Sequence, residues 1–291
     1  MSAEDKLSST TPTHSLGGVN VLLTRPASQA VKLSKRIEEQ GGTVLSVPLL
    51  EIDPVQDKPS VERIKSMIMA LDQYDIALFI STNAASLGME WIGRYWPQLP
   101  VGIDAYAVGP STAELLQQFP WSVHFSATGV TSEHLLELPG LQEIAGKRVA
   151  LFRGQGGREL LAETLRARGA RVDYIELYQR REPRYDREEI LAQMQELRIN
   201  IAVLTSQQIL ESFLRLLGLP LHGEGTSQES RDKSDEALLS LLQSLWIVVP
   251  SVRVQDVAKA AGFRRVIQAS GADDESILDS LSRSGVQAED V

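Results

Sequence analysis

The chain carries an internal repeat. A repeat restricts the fold more than any composition does, because both copies must build the same elements. Val21-Leu22-Leu23-Thr24-Arg25 aligns with Val149-Ala150-Leu151-Phe152-Arg153 at an offset of 128 (149 − 21). Without a gap, Gly41 then falls on Gly169, Val44 on Val172 and Leu49 on Leu177. Each copy reads as an apolar run, a loop, an amphipathic helix, a glycine turn and a second apolar run. Val31, Leu33 and Ile37 form the expected helical stripe in the first copy, and Leu160, Leu161 and Leu165 in the second. Gly41-Gly42 and Gly169 suit the position just past a helix end.

The repeat continues downstream. "DIALFISTNAAS" (75–86) lies on "NIAVLTSQQILE" (200–211), and "YAVGPSTAELLQQF" (106–119) on "IVVPSVRVQDVAKAAGF" (247–263). "ATGVTSEHLL" (127–136) lies on "ASGADDESIL" (269–278). Between the second and third matches the offset grows, which places an insertion in the second half. The polar, glycine-bearing stretch 222–237 is read as that surface loop.

Strands alternating with helices predict parallel sheets with right-handed crossovers, and ligands beyond the carboxyl ends of the strands. Every small polar turn in the repeat lies at such an end. Stretches 47–54 and 173–183 are extended by composition and are read as crossings between two domains. The sequence permits two tandem domains, or two domains that have exchanged their equivalent opening units.

Composition narrows the function. The length of 291 residues suits two domains. The absence of cysteine excludes disulfides, thiolate metal sites and cysteine nucleophiles, and fits a reducing compartment. A net charge of −9 argues against a nucleic-acid partner, and leaves any anionic ligand to be held by local geometry. The four histidines form no ligand pair on a helix, so no metal site is expected. No apolar run reaches the roughly 20 residues needed to span a bilayer. Residues 1–16 lack a signal-peptide apolar core and are read as a disordered lead-in, with a cytoplasmic location as the default.

The stretch 106–119 reads as strand, Gly-Pro-Ser-Thr turn and helix start, a ready anion site. No lysine follows, so the phosphate-loop pattern is missing, and "GQGGRE" (154–159) lacks the dinucleotide spacing. Ser81 and Thr82 in "FISTNAA" can bind an anion, cap the next helix, or do both. Arg25 and Arg153 occupy equivalent strand ends, and Arg153-Gly154 opens a flexible basic loop.

Taken in order, "VLLTRP", "PLLEI", "FISTNAA", "YAVGPSTAELL", "TSEHLLEL", "VALFRGQGGRELLAETLRARGARV" and "ELYQRR" resemble the uroporphyrinogen-III synthase family over residues 17–281. The resemblance implies two flavodoxin-like α/β domains with parallel sheets, joined by a two-stranded linker, with the ligand cleft between them. One domain would comprise 17–50 with 180–291, the other 53–172. It implies a cofactor-free, metal-free monomer that closes hydroxymethylbilane to uroporphyrinogen III, with functional coupling to hydroxymethylbilane synthase. The bound anions would then be substrate carboxylates. A non-catalytic two-domain protein binding a small anion or nucleotide is the alternative reading.

The same resemblance assigns Tyr178 to assist the departing hydroxyl, against the plainer role of a packing tyrosine. It implies substrate contacts from Ser81, Thr82 and Asn83, from Gly109, Ser111 and Thr112, and from Ser206 and Gln207. Arg25, Arg153 and Gly154 are further candidates. The second half departs from the pattern at "PSVRV", where Arg253 stands in the place of Thr112, either to pair with a carboxylate or to lie on the solvent face.

Overall fold

A computed structural model describes residues 16–126, 129, 131–157, 159–219 and 243–285. The insertion expected at 222–237 and nearly all of the N-terminal lead-in lie outside these residues. Leu16, read as part of that lead-in, is buried in the core; its N–H donates to Gln40 O at 2.8 Å.

The chain divides into two compact units. One is built from the residues up to Glu51 and from Glu182 onward, the other from Ile52–Arg181.

The first unit holds β1 (Asn20–Leu23), α1 (Ala27–Glu39), β2 (Thr43–Ser46), α7 (Arg187–Glu196), β9 (Ile201–Val203), α8 (Gln207–Leu217), β10 (Trp246–Val249), α9 (Val252–Ala260), β11 (Arg265–Gln268) and α10 (Asp274–Arg283). Its sheet runs β11-β10-β9-β1-β2, with parallel neighbours throughout. Counted within the unit, the order is that of flavodoxin, whose switch point falls where β1 meets β9. Strand alternation sends Val21, Leu23, Ile201 and Val203 to one core layer, and Leu22, Ala202, Ile247 and Val249 to the other.

The second unit holds β3 (Glu51–Pro54, whose first residue falls to the first unit), α2 (Lys58–Met69), β4 (Ile76–Phe79), α3 (Thr82–Tyr95), β5 (Asp104–Ala107), α4 (Pro110–Leu116), β6 (Val123–Phe125), α5 (Ser132–Leu136), β7 (Arg148–Gly154), α6 (Leu160–Ala167) and β8 (Arg171–Arg181). Its sheet runs β3-β8-β7-β4-β5-β6. Phe79 and Phe152, on adjacent strands, stack with centroids 4.3 Å apart.

In both sheets the opening strand pair of one repeat copy lies beside the later strands of the other copy. β1 and β2 join β9, β10 and β11, while β7 and β8 join β4, β5 and β6. Val47, Leu49 and Leu50, in the first expected crossing, pack into the first unit's core. Most of the second expected crossing is β8, a full strand paired along β7.

The helical stripes differ from the sequence reading by one residue. Val31 and Leu160 are exposed; Ala30, Leu33 and Ile37 are buried on α1, and Leu161, Ala162 and Leu165 on α6. Val31 lies two residues before Leu33, about 200° around a helix, so the two cannot share a face. Gly41 and Gly169 follow the two helix ends at φ 88 and 86, left-handed values that explain their equivalence in the repeat.

At the amino end of the second sheet, Tyr74 Oη donates to Asp173 Oδ2 at 2.9 Å, with the Arg148 guanidinium over its ring. Burial, then the Asp173 bond and charge, push the Tyr74 hydroxyl up to about 12 from its ordinary 10. The fold therefore favours the neutral phenol. The resulting stability is intact below pH 10 and is lost as pH rises from 10 through about 12. Urea unfolding of Tyr74→Phe across this range is expected to show a shallower loss of stability than the parent. Equal slopes would remove Tyr74 as the cause.

Candidate active site

The carboxyl ends of β8, β7, β4 and β5 stand side by side along one edge of the second unit's sheet. Tyr178 is brought there by an irregularity in the β7–β8 pairing. Arg153 lies opposite Glu176, but Gly154 lies opposite Tyr178, so Leu177 is the extra residue of a bulge. A bulge breaks strand alternation and re-aims side chains. Leu177 and Tyr178, consecutive in sequence, accordingly pack into the same core layer.

The Tyr178 hydroxyl lies 3.0 Å from Ser81 Oγ. Ser81 follows β4 and caps α3, its Oγ accepting from the Ala84 N–H at 3.0 Å. The serine thus fills one lone pair with the helix amide and meets the phenol with what remains. With Ser81 as donor, the phenol proton is left for a ligand; with Tyr178 as donor, the phenol oxygen is left as an acceptor. Capping and the contact with Tyr178 coexist in one side chain.

Gly154 is fixed by the same tyrosine. A Cβ at this position would lie 2.5 Å from Tyr178 Cε2 and 2.7 Å from Cζ. Gly154→Ala is expected to displace the ring and to cost about 1–3 kcal/mol through overpacking. It should also lower turnover more than it lowers stability, because the hydroxyl moves off Ser81. Thermal unfolding beside an activity assay checks this; unchanged turnover would show that the ring position does not matter.

A cavity of about 290 Å³ adjoins the tyrosine, lined among others by Arg153, Gly154, Gly156, Gly157, Tyr178 and Arg180. Arg153 is buried, and its guanidinium donates inward. Nε reaches Gly154 O at 3.2 Å, one terminal nitrogen reaches Glu159 Oε1 at 3.2 Å, and the other bonds Gly156 O. Its planar group also lies 4.8 Å from the Tyr174 ring centre. The Tyr174 hydroxyl, and then the Arg153 charge, hold the Glu159 carboxyl below its usual range. Arg153, Glu159 and Tyr174 thus brace the loop between β7 and α6.

The remaining second-unit candidates follow β4 and β5. Thr82 and Asn83 open α3, each partly exposed. Gly109 precedes α4, a helix of seven residues, in extended backbone without a side-chain cap. Ser111 is exposed, whereas Thr112 is buried on the helix's inner side.

The first unit repeats the scheme after β9. Ser206 caps α8 by accepting from the Ile209 N–H at 3.2 Å, as Ser81 caps α3. Gln207 Nε2 donates to Glu211 Oε1 at 2.8 Å. Arg25 is buried and donates to Asp274 Oδ1 at 2.6 Å and to Ala272 O at 3.1 Å. Its repeat-mate Arg153 is also satisfied by a carboxylate of the chain. Arg253 lies exposed in the first turn of α9.

Among the described residues, no helix is long and apolar enough to cross a membrane, and no three acidic or histidine side chains form a metal-binding group.

Residues 31–279 match the family described as "Uroporphyrinogen-III synthase HemD". The chain is 31% identical over 267 residues to uroporphyrinogen-III synthase of Escherichia coli (strain K12), covering 90% of this chain and all of that one. The chain belongs to the uroporphyrinogen-III synthase family. The synthase of Salmonella typhimurium is 32% identical over the same shares. Solved synthase structures share the fold. A mutant enzyme of Thermus thermophilus superposes with a TM-score of 0.57 at 20% identity, over 91% of this chain and 98% of that one. The Helicobacter pylori enzyme gives 0.50 at 14%, over 90% and 97%.

Within this synthase-family chain, the structure brings Tyr178, Ser81 and Gly154 into direct proximity, with Arg153 on the same cavity. Sequence reasoning missed Arg180, which lines that cavity too, and the bracing pair Glu159 and Tyr174. Strand alternation counted from Tyr178 would have reached Arg180, two residues on.

Proposed function

We propose that this protein is a uroporphyrinogen-III synthase that closes the linear tetrapyrrole hydroxymethylbilane to uroporphyrinogen III with inversion of ring D. Family membership over nearly the whole chain supports this reading above a non-catalytic anion binder. The observation that carries the chemistry is the Tyr178 hydroxyl, held on Ser81 beside a cavity.

The reaction begins with cleavage of the C–O bond of the hydroxymethyl group on ring A. The departing oxygen takes a proton and leaves as water, and an electrophilic azafulvene remains. The substituted α-carbon of ring D attacks it to give a spiro intermediate. Fragmentation and reclosure invert ring D, and restoring the pyrrole releases the proton taken up at the start.

Tyr178 Oη supplies a proton or hydrogen bond to the departing oxygen, and Ser81 fixes the phenol's direction. General-acid assistance of this kind contributes a factor of about 10² to 10⁴. The larger task is orientation, since the free bilane also closes without inversion. Holding a flexible chain in one reactive geometry supplies on the order of 7–11 kcal/mol. Ser81, Thr82, Asn83, Gly109, Ser111 and Thr112 provide hydroxyl and amide donors for the substrate's acetate and propionate groups. We assign the enzyme to the cytoplasm as a monomer that takes the bilane from hydroxymethylbilane synthase.

The test generates hydroxymethylbilane in situ, oxidises the product and separates isomers I and III by chromatography, with and without the protein. A shift from isomer I to isomer III is expected. Dominant isomer I in the presence of ample folded protein would refute the synthase reading.

A further inference from the structure

Two arginines line the cavity beside Tyr178, and they differ in one respect. Arg153 is buried, and its donors go to Glu159 and to two carbonyls of its own loop. Arg180 is exposed, and among the described residues it has neither a hydrogen bond nor an ion pair. The next two residues of the chain are engaged: Arg181 Nε donates to Asp53 Oδ2 at 2.8 Å, and Glu182 pairs with Arg215. Although the chain carries a net charge of −9, no carboxylate among the described residues pairs with this guanidinium.

Arg180 stands two residues beyond Tyr178 on β8, so strand alternation puts both on one face, with their Cα atoms roughly 7 Å apart. Gly154, Gly156 and Gly157 contribute to the cavity wall without side chains. Arg180 and Tyr178 both line this one cavity, so a ring whose carboxylate sits on Arg180 lies beside Tyr178.

We propose that Arg180 binds a side-chain carboxylate of the substrate beside Tyr178, and that Arg180, in place of Arg153, is the cation this pocket offers to substrate. The proposal rests on the synthase reading above. A guanidinium fork can hold a carboxylate through two parallel hydrogen bonds, which fixes the orientation of the ring as well as its position.

The test compares Arg180→Gln and Arg180→Lys with the parent enzyme in the isomer III assay, resolving KM from kcat. Because the side chain is exposed and unpaired, the thermal midpoint of both variants should match the parent. Arg180→Gln is expected to raise KM about tenfold or more, as for loss of a charged hydrogen bond. Its kcat should change much less, and Arg180→Lys should recover part of the loss. Rising salt should increase the parent's KM more steeply than that of Arg180→Gln. An active parent with unchanged KM in Arg180→Gln, or a fall in kcat alone, would overturn this assignment and leave the synthase reading standing. A parent that yields only isomer I would overturn both.

Discussion

Tyr178→Phe is expected to lower kcat for isomer III formation by a factor of about 10² to 10⁴, with little change in stability. The substitution keeps the ring that packs against Gly154 and the surrounding core. It removes only the hydroxyl that faces Ser81 at 3.0 Å. Ser81 retains its bond from the Ala84 N–H, so the start of α3 should hold. Any large fall in rate therefore belongs to the phenol oxygen. Isomer analysis adds a second readout. If the hydroxyl assists departure of water, the catalysed yield of isomer III falls and the unaided product, isomer I, rises in its place. A variant with parental kcat and isomer ratio would reduce Tyr178 to a packing residue.

Asp274→Asn is expected to destabilise the protein by about 3 kcal/mol, measured by urea unfolding at neutral pH. Arg25 is buried, and Asp274 is the acid it meets, at 2.6 Å. Removing one partner of a buried pair leaves an uncompensated charge, which typically costs about 3–5 kcal/mol. The lower end applies because the Asp274 side chain keeps 20% of its surface exposed. The two carbonyls that Arg25 also reaches soften the loss. Turnover per folded molecule should be retained, since the pair joins the end of β1 to the start of α10. A variant that folds with parental stability but loses substrate affinity would instead make Arg25 a substrate contact.

The outcome for Arg25 and Arg153 shows how far a sequence can be read. Both stand at equivalent strand ends, and the repeat rightly made them alike. It could not say that both point into the chain. Each is neutralised by a carboxylate near the start of a helix, Asp274 for one and Glu159 for the other. Arg180 carries the same charge but, among the described residues, has no acid paired with it. Arginine at a strand end is visible in the sequence, and whether it is paired is not.

Tyr178 shows the same limit within one strand. The family motif singled it out, but β alternation alone would put it and Leu177 on opposite faces. The bulge opposite Gly154 turns both into one core layer. Its sequence signal is Gly154, a position where only a residue without Cβ leaves room for the Tyr178 ring. The capping serines, by contrast, were legible directly. A hydroxyl just after an apolar run and just before a helix has a backbone amide to satisfy, whatever else surrounds it.

The order of residues was enough to establish the repeat, the alternation of strands with helices, the small polar residues at the strand ends and the family. All of these rest on neighbours within a few residues, or on comparison of one segment with another. It took the three-dimensional fold to establish that the opening βαβ unit of each half joins the other half's strands. Tandem and exchanged arrangements use the same local elements and bury the same kinds of residue, so nothing in a repeat distinguishes them. The choice lies in pairings such as Val21 with Ile201, between strands of opposite halves. Arg25 finds its acid 249 residues away for the same reason. Charge and hydrogen bonding act through space, and the chain's order does not record that distance.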